Sequence, residues 1–242
     1  MPTKSAVYLT LALGMCAVTF GGFWFTYFGR ILSGDYPGVS PAVHVHGWSF
    51  FAWYLLLPLQ AWLMRSKKVS LHKRLGLAST ALAFVMTLTG MVVLTVSIRT
   101  GLETEGFSFF KVFGLPVFSS LLLFAVFYTI AILHRKSPER HKRLIIIASA
   151  AGLGAAAFRL LGGFWDPQPW TMVAGITGTN VFIVAAMTHD QLSRGRIAAV
   201  YWYGLATCAI VEIVSFPLGA TGLGQTLLSG LAALADVLDY LY

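Results

Sequence analysis

Apolar residues run along this chain in long blocks separated by short polar connectors, and the blocks set the elements. A helix needs roughly 20 apolar residues to cross the hydrocarbon core of a bilayer. Seven blocks reach that length: residues 6–28, 44–64, 75–98, 109–133, 144–165, 170–188 and 198–218. Backbone groups find no water in lipid, so each block is expected to be a transmembrane helix that satisfies its own N–H and C=O groups. The first block is too long and too aromatic for a signal peptide (Phe20, Phe23, Trp24, Phe25), and no small-residue cleavage site follows it, so it reads as a retained span. Beyond the last block, Leu227, Leu231, Leu234, Leu238 and Leu241 recur at helical spacing, with Asp236 and Asp239 toward the opposite face. An eighth span there would end on acids with no base beside them. Residues 220–242 are therefore expected to form an amphipathic helix lying in the interface.

Composition agrees with the pattern. Hydrophobic residues make up 57% of the 242 and charged residues 11%, with a mean hydropathy of +0.75. A soluble domain carries about 25% charged residues, so this chain lacks the polar side chains to cover a water-facing surface. Disordered, collagen-like and coiled-coil chains are excluded by the same numbers. Cys16 and Cys208 sit inside apolar blocks, without the spacing of a disulfide framework or a zinc ribbon. The expected fold is an all-α integral membrane protein of seven spans over residues 1–219, with the amphipathic helix at 220–242.

The net charge of +8 suggests nucleic acid only until it is located. Thirteen of the seventeen basic residues fall on alternate connectors: Lys4; Arg65, Lys67, Lys68, Lys73 and Arg74; Arg135, Lys136, Arg140, Lys142 and Arg143; Arg194 and Arg196. The other connectors hold most of the acids, among them Asp35, Glu103, Glu105 and Asp166. Basic connectors stay in the cytoplasm, which predicts an inside amino terminus and an outside carboxyl terminus. No hydrophilic segment carries a basic stripe with interleaved aromatics, so the bilayer is the partner expected for this charge, not nucleic acid.

Two connectors read alike: SLHKRLGLAS at 70–79 and RHKRLIIIAS at 140–149 put His72 and His141 at matching positions. A two-helix unit repeated over 44–98 and 109–165 follows, with a degenerate third copy at 170–218 around HDQLSRGRI. The pattern resembles a group of bacterial multi-spanning membrane proteins of unknown function. The resemblance covers residues 40–205 and rests on His44 to His46 ahead of Trp53, Leu71 to Gly76, His141 to Leu144, and Asp190 with Arg194 to Arg196. Where that group has a further histidine, this chain has Ile197, Ala198 and Ala199. The resemblance implies the fold and a bacterial inner membrane, and no activity.

Ionisable residues at membrane depth are costly and tend to be functional. Arg159 and Glu212 lie 15 and 14 residues from the cytoplasmic ends of their spans, both about 21–23 Å above the inner face. Equal depth makes an Arg159–Glu212 pair the expectation, inside the bundle or flanking an outward cavity. His44 and His46 open the second span about 200° apart on a helix, so one is expected to face this polar site and the other the interface. On the inner side His72, His134, His141 and His189, with Asp190, are candidate ligands for a transition metal or haem. Their lysine and arginine neighbours argue against a cation, and Lys73, Arg74, Lys142 and Arg143 are expected to contact lipid headgroups.

No nucleophile elbow, metalloprotease helix or phosphate loop occurs. Three readings follow. The first is an inner-membrane protein whose outer polar site holds a quinone, haem or metal cofactor in membrane redox work. The second is an accessory or assembly subunit of a larger membrane complex. The third is a small transporter in which Pro58, Pro116, Asn180 and Glu212 supply helix breaks and a polar path.

Overall fold

The computed structural model describes residues 6–165 and 168–242, so Lys4 and Asp166, which entered the charge pattern, lie outside the described residues. Every regular element described is helical. The helices are α1 (Ala6–Ser33), α2 (Pro41–Arg65), α3 (Val69–Glu103), α4 (Phe109–Leu133), α5 (Pro138–Ala151), α6 (Gly154–Phe164), α7 (Pro169–Gly178), α8 (Val181–Arg194), α9 (Ala199–Leu218) and α10 (Gly222–Leu238). Five stretches are long and apolar enough to cross a membrane: α1, α3, α4, α7 with α8, and α9. The pair α5–α6, bent by 46°, makes a sixth. This is the make-up of a multi-pass membrane protein.

The block at 44–64 forms α2, whose 25 residues are length enough to span, but His44, His46, Ser49 and Gln60 leave it less apolar than the other six. The block at 75–98 forms the middle of α3, which at 35 residues is about 52 Å long and outruns a hydrocarbon core of about 30 Å. His72, Lys73 and Arg74 are therefore in its first turns rather than in a loop. The tail helix forms, but its leucine stripe is turned. Leu228, Leu231 and Ala235 are the residues buried against α3, while Leu227, Leu234 and Leu241 are exposed.

Two helices break without proline. Between α5 and α6 the amide of Leu153 bonds to Ala150 O instead of Ser149 O. The carbonyl left over at Ser149 accepts a hydrogen bond of 2.7 Å from Tyr54 Oη, a fully buried phenol on α2, so the break is satisfied from a neighbouring helix. Between α7 and α8, Asn180 turns its side-chain amide back onto Thr177 O at 3.1 Å. Pro58 and Pro116 lie inside unbroken helices.

Close helix crossings set the rest. A Cβ on Gly22 of α1 would lie 2.1 Å from Ala156 O of α6, and one on Gly175 of α7 would lie 2.5 Å from Phe158 Cα. Glycine at both places brings backbones to contact distance, the packing that replaces the hydrophobic drive in lipid. Tyr128 near the end of α4 bonds with Ser79 and Thr80 near the start of α3, and Arg143 of α5 pairs with Asp190 of α8. The three basic connectors thus lie at one end of the bundle.

Candidate functional site

Away from the basic connectors, α1, α2, α3, α4, α6 and α7 enclose a cavity of about 280 Å³. Its walls are mostly apolar and rich in phenylalanine, including Phe23, Phe50, Phe51, Phe124 and Phe158, and the polar atoms that enter it are few. Residues Trp24–Phe28 of α1 wind as one π turn. Such an insertion widens the helix and re-aims its side chains, and here Tyr27 lines the cavity from that turn with Tyr36 of the following loop.

His46 enters from α2. Its Nδ1 lies 3.1 Å from Met86 O; a carbonyl only accepts, so Nδ1 carries the proton and Nε2 is left as the acceptor. The ring reaches α3 because residue 90 is glycine: a Cβ there would lie 2.8 Å from His46 Cε1. Arg159 enters from α6. Its Nη1 donates to Ala155 O at 2.8 Å, and its guanidinium carbon stands 4.8 Å from the centre of the Phe23 ring. No carboxylate among the described residues pairs with it. Ser120 Oγ, also lining the cavity, is buried without a partner. The site is thus an apolar chamber holding one cationic donor and one neutral acceptor.

The expected Arg159–Glu212 pair does not form. Glu212 is fully buried on α9, outside the cavity lining, where its Oε2 accepts from Asn180 Nδ2 at 2.6 Å. Equal depth along two helices leaves their rotation open, and rotation separates these two. His44 also stays outside the cavity lining, its Nδ1 3.3 Å from Tyr27 Oη, in an aromatic group with Tyr36.

The inner ligand set is dispersed, which corrects the metal expectation. His134 Nδ1 donates to Ile130 O at 2.9 Å and His141 Nδ1 to Ala131 O at 2.8 Å. His72 Nδ1 is 2.6 Å from the Gln60 amide nitrogen, in the orientation that lets the amide oxygen accept from Gly76 N. His189 packs edge-on against Tyr8. Among the described residues no three His, Cys, Asp or Glu side chains come together as a metal ion requires.

Asp190 is held by Arg143, whose Nε lies 2.8 Å from Oδ2 and Nη2 3.0 Å from Oδ1. With side chains 4% and 1% exposed, this is a buried fork-on-fork pair. Arg143 is therefore no headgroup contact, a second correction. Lys142 also has an internal partner, Glu139 at 2.8 Å, and stands over the Tyr8 ring, whereas Lys73 and Arg74 are exposed. At the loop end of α5, burial works to raise the Glu139 carboxyl. Hydrogen bonds from Lys142 and Arg143, with the charge of Arg194, outweigh it and hold it at about 2. The sequence offered no sign of Tyr27, Tyr36 or Ser120 as lining residues, because a π turn and a loop tyrosine carry no periodic signal.

No protein-family model, curated protein or solved structure matches this chain.

Proposed function

We propose that the chain is a seven-span protein of a bacterial inner membrane, amino terminus inside and carboxyl terminus outside, whose cavity holds the headgroup of a lipid-soluble quinone. One observation carries this reading: a guanidinium without a carboxylate partner among the described residues shares an aromatic chamber with a histidine whose Nε2 is an acceptor. Of the three cofactors considered, a transition metal lacks its ligand set and haem iron would find a single histidine on the cavity wall. A quinone needs only hydrogen-bond partners and flat apolar walls, and these residues fit it.

A bound quinone supplies two-electron, two-proton redox chemistry. Arg159 would hold the headgroup by donating to one of its oxygens, and a guanidinium favours negative charge most strongly in a water-poor chamber. His46, its imidazole fixed by Met86 O, would offer Nε2 as the acceptor for a hydroxyl proton of the bound headgroup. Phe23, Phe51 and Phe124 supply the faces on which a ring stacks.

The test is lipid extraction of the purified full chain, with quinone counted per protein by chromatography. Near-stoichiometric quinone in the wild type is expected, with at least about a tenfold loss in Arg159→Gln, the effect of removing a charge-assisted hydrogen bond of 1.5–3 kcal/mol. Equal quinone in wild type and a folded Arg159→Gln variant would sink the reading.

The transporter reading has an observation of its own, the bent span α5–α6 beside a two-residue interruption of the α7–α8 span, where Asn180 meets Glu212. Discontinuous helices of this kind frame substrate sites in secondary transporters. Uptake by cells expressing the chain, lost on Asn180→Ala, is the result it requires.

A further inference from the structure

Glu212 takes no part in the cavity, and its surroundings are unusual for a carboxylate. Helix α9 packs against α4, α5, α7 and α8. From all four, the polar group that meets the carboxyl is Asn180 Nδ2, on Oε2. Oε1 is buried and has no partner. The titratable group beside it on its own helix is Cys208, one turn below, a buried free thiol. No lysine, arginine or histidine among the described residues forms an ion pair with it.

A charge in this position lacks both water and a counter-ion. Carboxylates elsewhere in the chain are treated differently: Asp190 is equally buried, but a guanidinium grips both of its oxygens. An isolated ionised carboxylate in an apolar interior is the costliest arrangement of the group, and the ordinary escape is to neutralise it. Asn180 is also placed with purpose. It occupies the two-residue gap between α7 and α8, bonding back to Thr177 O as well as across to Glu212, so the carboxyl is tied to the point where the helical run of this span is interrupted.

We propose that Glu212 is a proton-binding site: the carboxyl is carried as the neutral acid, Asn180 holds Oε2, and the proton sits on Oε1. Loss of the proton puts a charge at the α7–α8 joint, and the joint must then admit water or a cation to solvate it. Proton occupancy and the geometry of this break are therefore linked. The site does not depend on the quinone reading, since Glu212 and Asn180 are absent from the cavity wall.

The experiment is labelling of the full chain in detergent with dicyclohexylcarbodiimide, an apolar reagent that reacts with protonated carboxyls. The acid O–H adds across one C=N bond: a C–O bond forms, the proton passes to nitrogen, and the adduct rearranges to a stable N-acylurea with nothing lost or oxidised. Peptide mass mapping is expected to place one adduct on Glu212 in mildly acidic buffer and several-fold less in alkaline buffer. Glu139, ion-paired at the loop end of α5, is expected to stay unlabelled, and Glu212→Gln is expected to fold normally and lose the adduct. Two results overturn the proposal. One is an unlabelled Glu212 in the folded wild type when the same residue labels in the denatured chain. The other is protection by sodium ions at constant pH, which would make this a metal-cation site.

Discussion

Removing one partner of a buried ion pair leaves the other charged and unsolvated, a loss of about 3–5 kcal/mol, whereas replacing both by apolar residues often restores the stability. Arg143 and Asp190 meet that description, with side chains 4% and 1% exposed and a two-point contact. Tyr201, whose ring lies 5.7 Å from the guanidinium, and its partner Tyr8 close the pair off. Glu139 keeps its contact with Arg143 Nη1, so Asp190→Asn is expected to cost about 1–3 kcal/mol in detergent unfolding, and Arg143→Met with Asp190→Leu to recover most of it. An Asp190→Asn variant as stable as the wild type would mean that solvent reaches the pair. The sequence marked both residues as functional and misassigned each, one as a metal ligand and the other as a headgroup contact. Their pairing depends on where α5 and α8 meet, 47 positions apart in the chain, and no local pattern records that meeting. Arg159 was legible as an ionisable residue at depth, because its cost in lipid is a property of the residue alone. Its lack of a carboxylate partner was not.

At the scale of the helix, hydropathy located the elements and left their interruptions unseen. A window of apolar residues reports that a segment must be helical in lipid, and it reports this equally for straight and broken helices. Pro58, Pro116 and Asn180 were the expected sources of breaks; α2 and α4 run through both prolines, while the interruptions fall at Gly152–Leu153 and at Thr179–Asn180, the second at a residue expected to supply one. At the first, a side chain from elsewhere replaces the lost backbone bond, Tyr54 on Ser149 O, and such help from a distant helix is invisible locally; at the second, Asn180 itself bonds back to Thr177 O. Glycine contacts are similar. On α7, Gly175 lies against the Phe158 backbone while Gly178 meets open space. Gly22 is the most demanding of those on α1, with a would-be Cβ 2.1 Å from Ala156 O. Gly22→Ala is expected to push α1 off α6 and cost about 1–3 kcal/mol. Gly178→Ala should change stability by no more than about 1 kcal/mol, its gain in helix propensity. Unfolding of the two variants in parallel checks the contrast, and equal midpoints would contradict the close crossing.

Taken as one body, the molecule has two unlike ends. Twelve described lysines and arginines gather on the connectors α2–α3, α4–α5 and α8–α9 and the turns beside them, and the pairs Tyr128–Ser79 and Arg143–Asp190 hold those connectors to one end. At the other end Arg99 bonds Asp236 and Asp239, fixing α10 across the end of α3. Ile98 of α3 and Leu228 of α10 both crowd Gly114, while Arg99, one residue after Ile98, bonds to an acid eight residues after Leu228. On α10, Leu223, Leu227 and Val237 are exposed. A helix lying in the interface would present such residues to lipid. In the proposed orientation the basic end faces the cytoplasm, which would put the cavity and α10 toward the outer leaflet. Single cysteines test this in a background with Cys16 and Cys208 changed to alanine. Asp35→Cys is expected to react with a membrane-impermeant maleimide in intact cells, and Lys136→Cys only after the membrane is opened. The reverse pattern would turn the molecule over, moving the cavity to the cytoplasmic leaflet without altering one contact inside it.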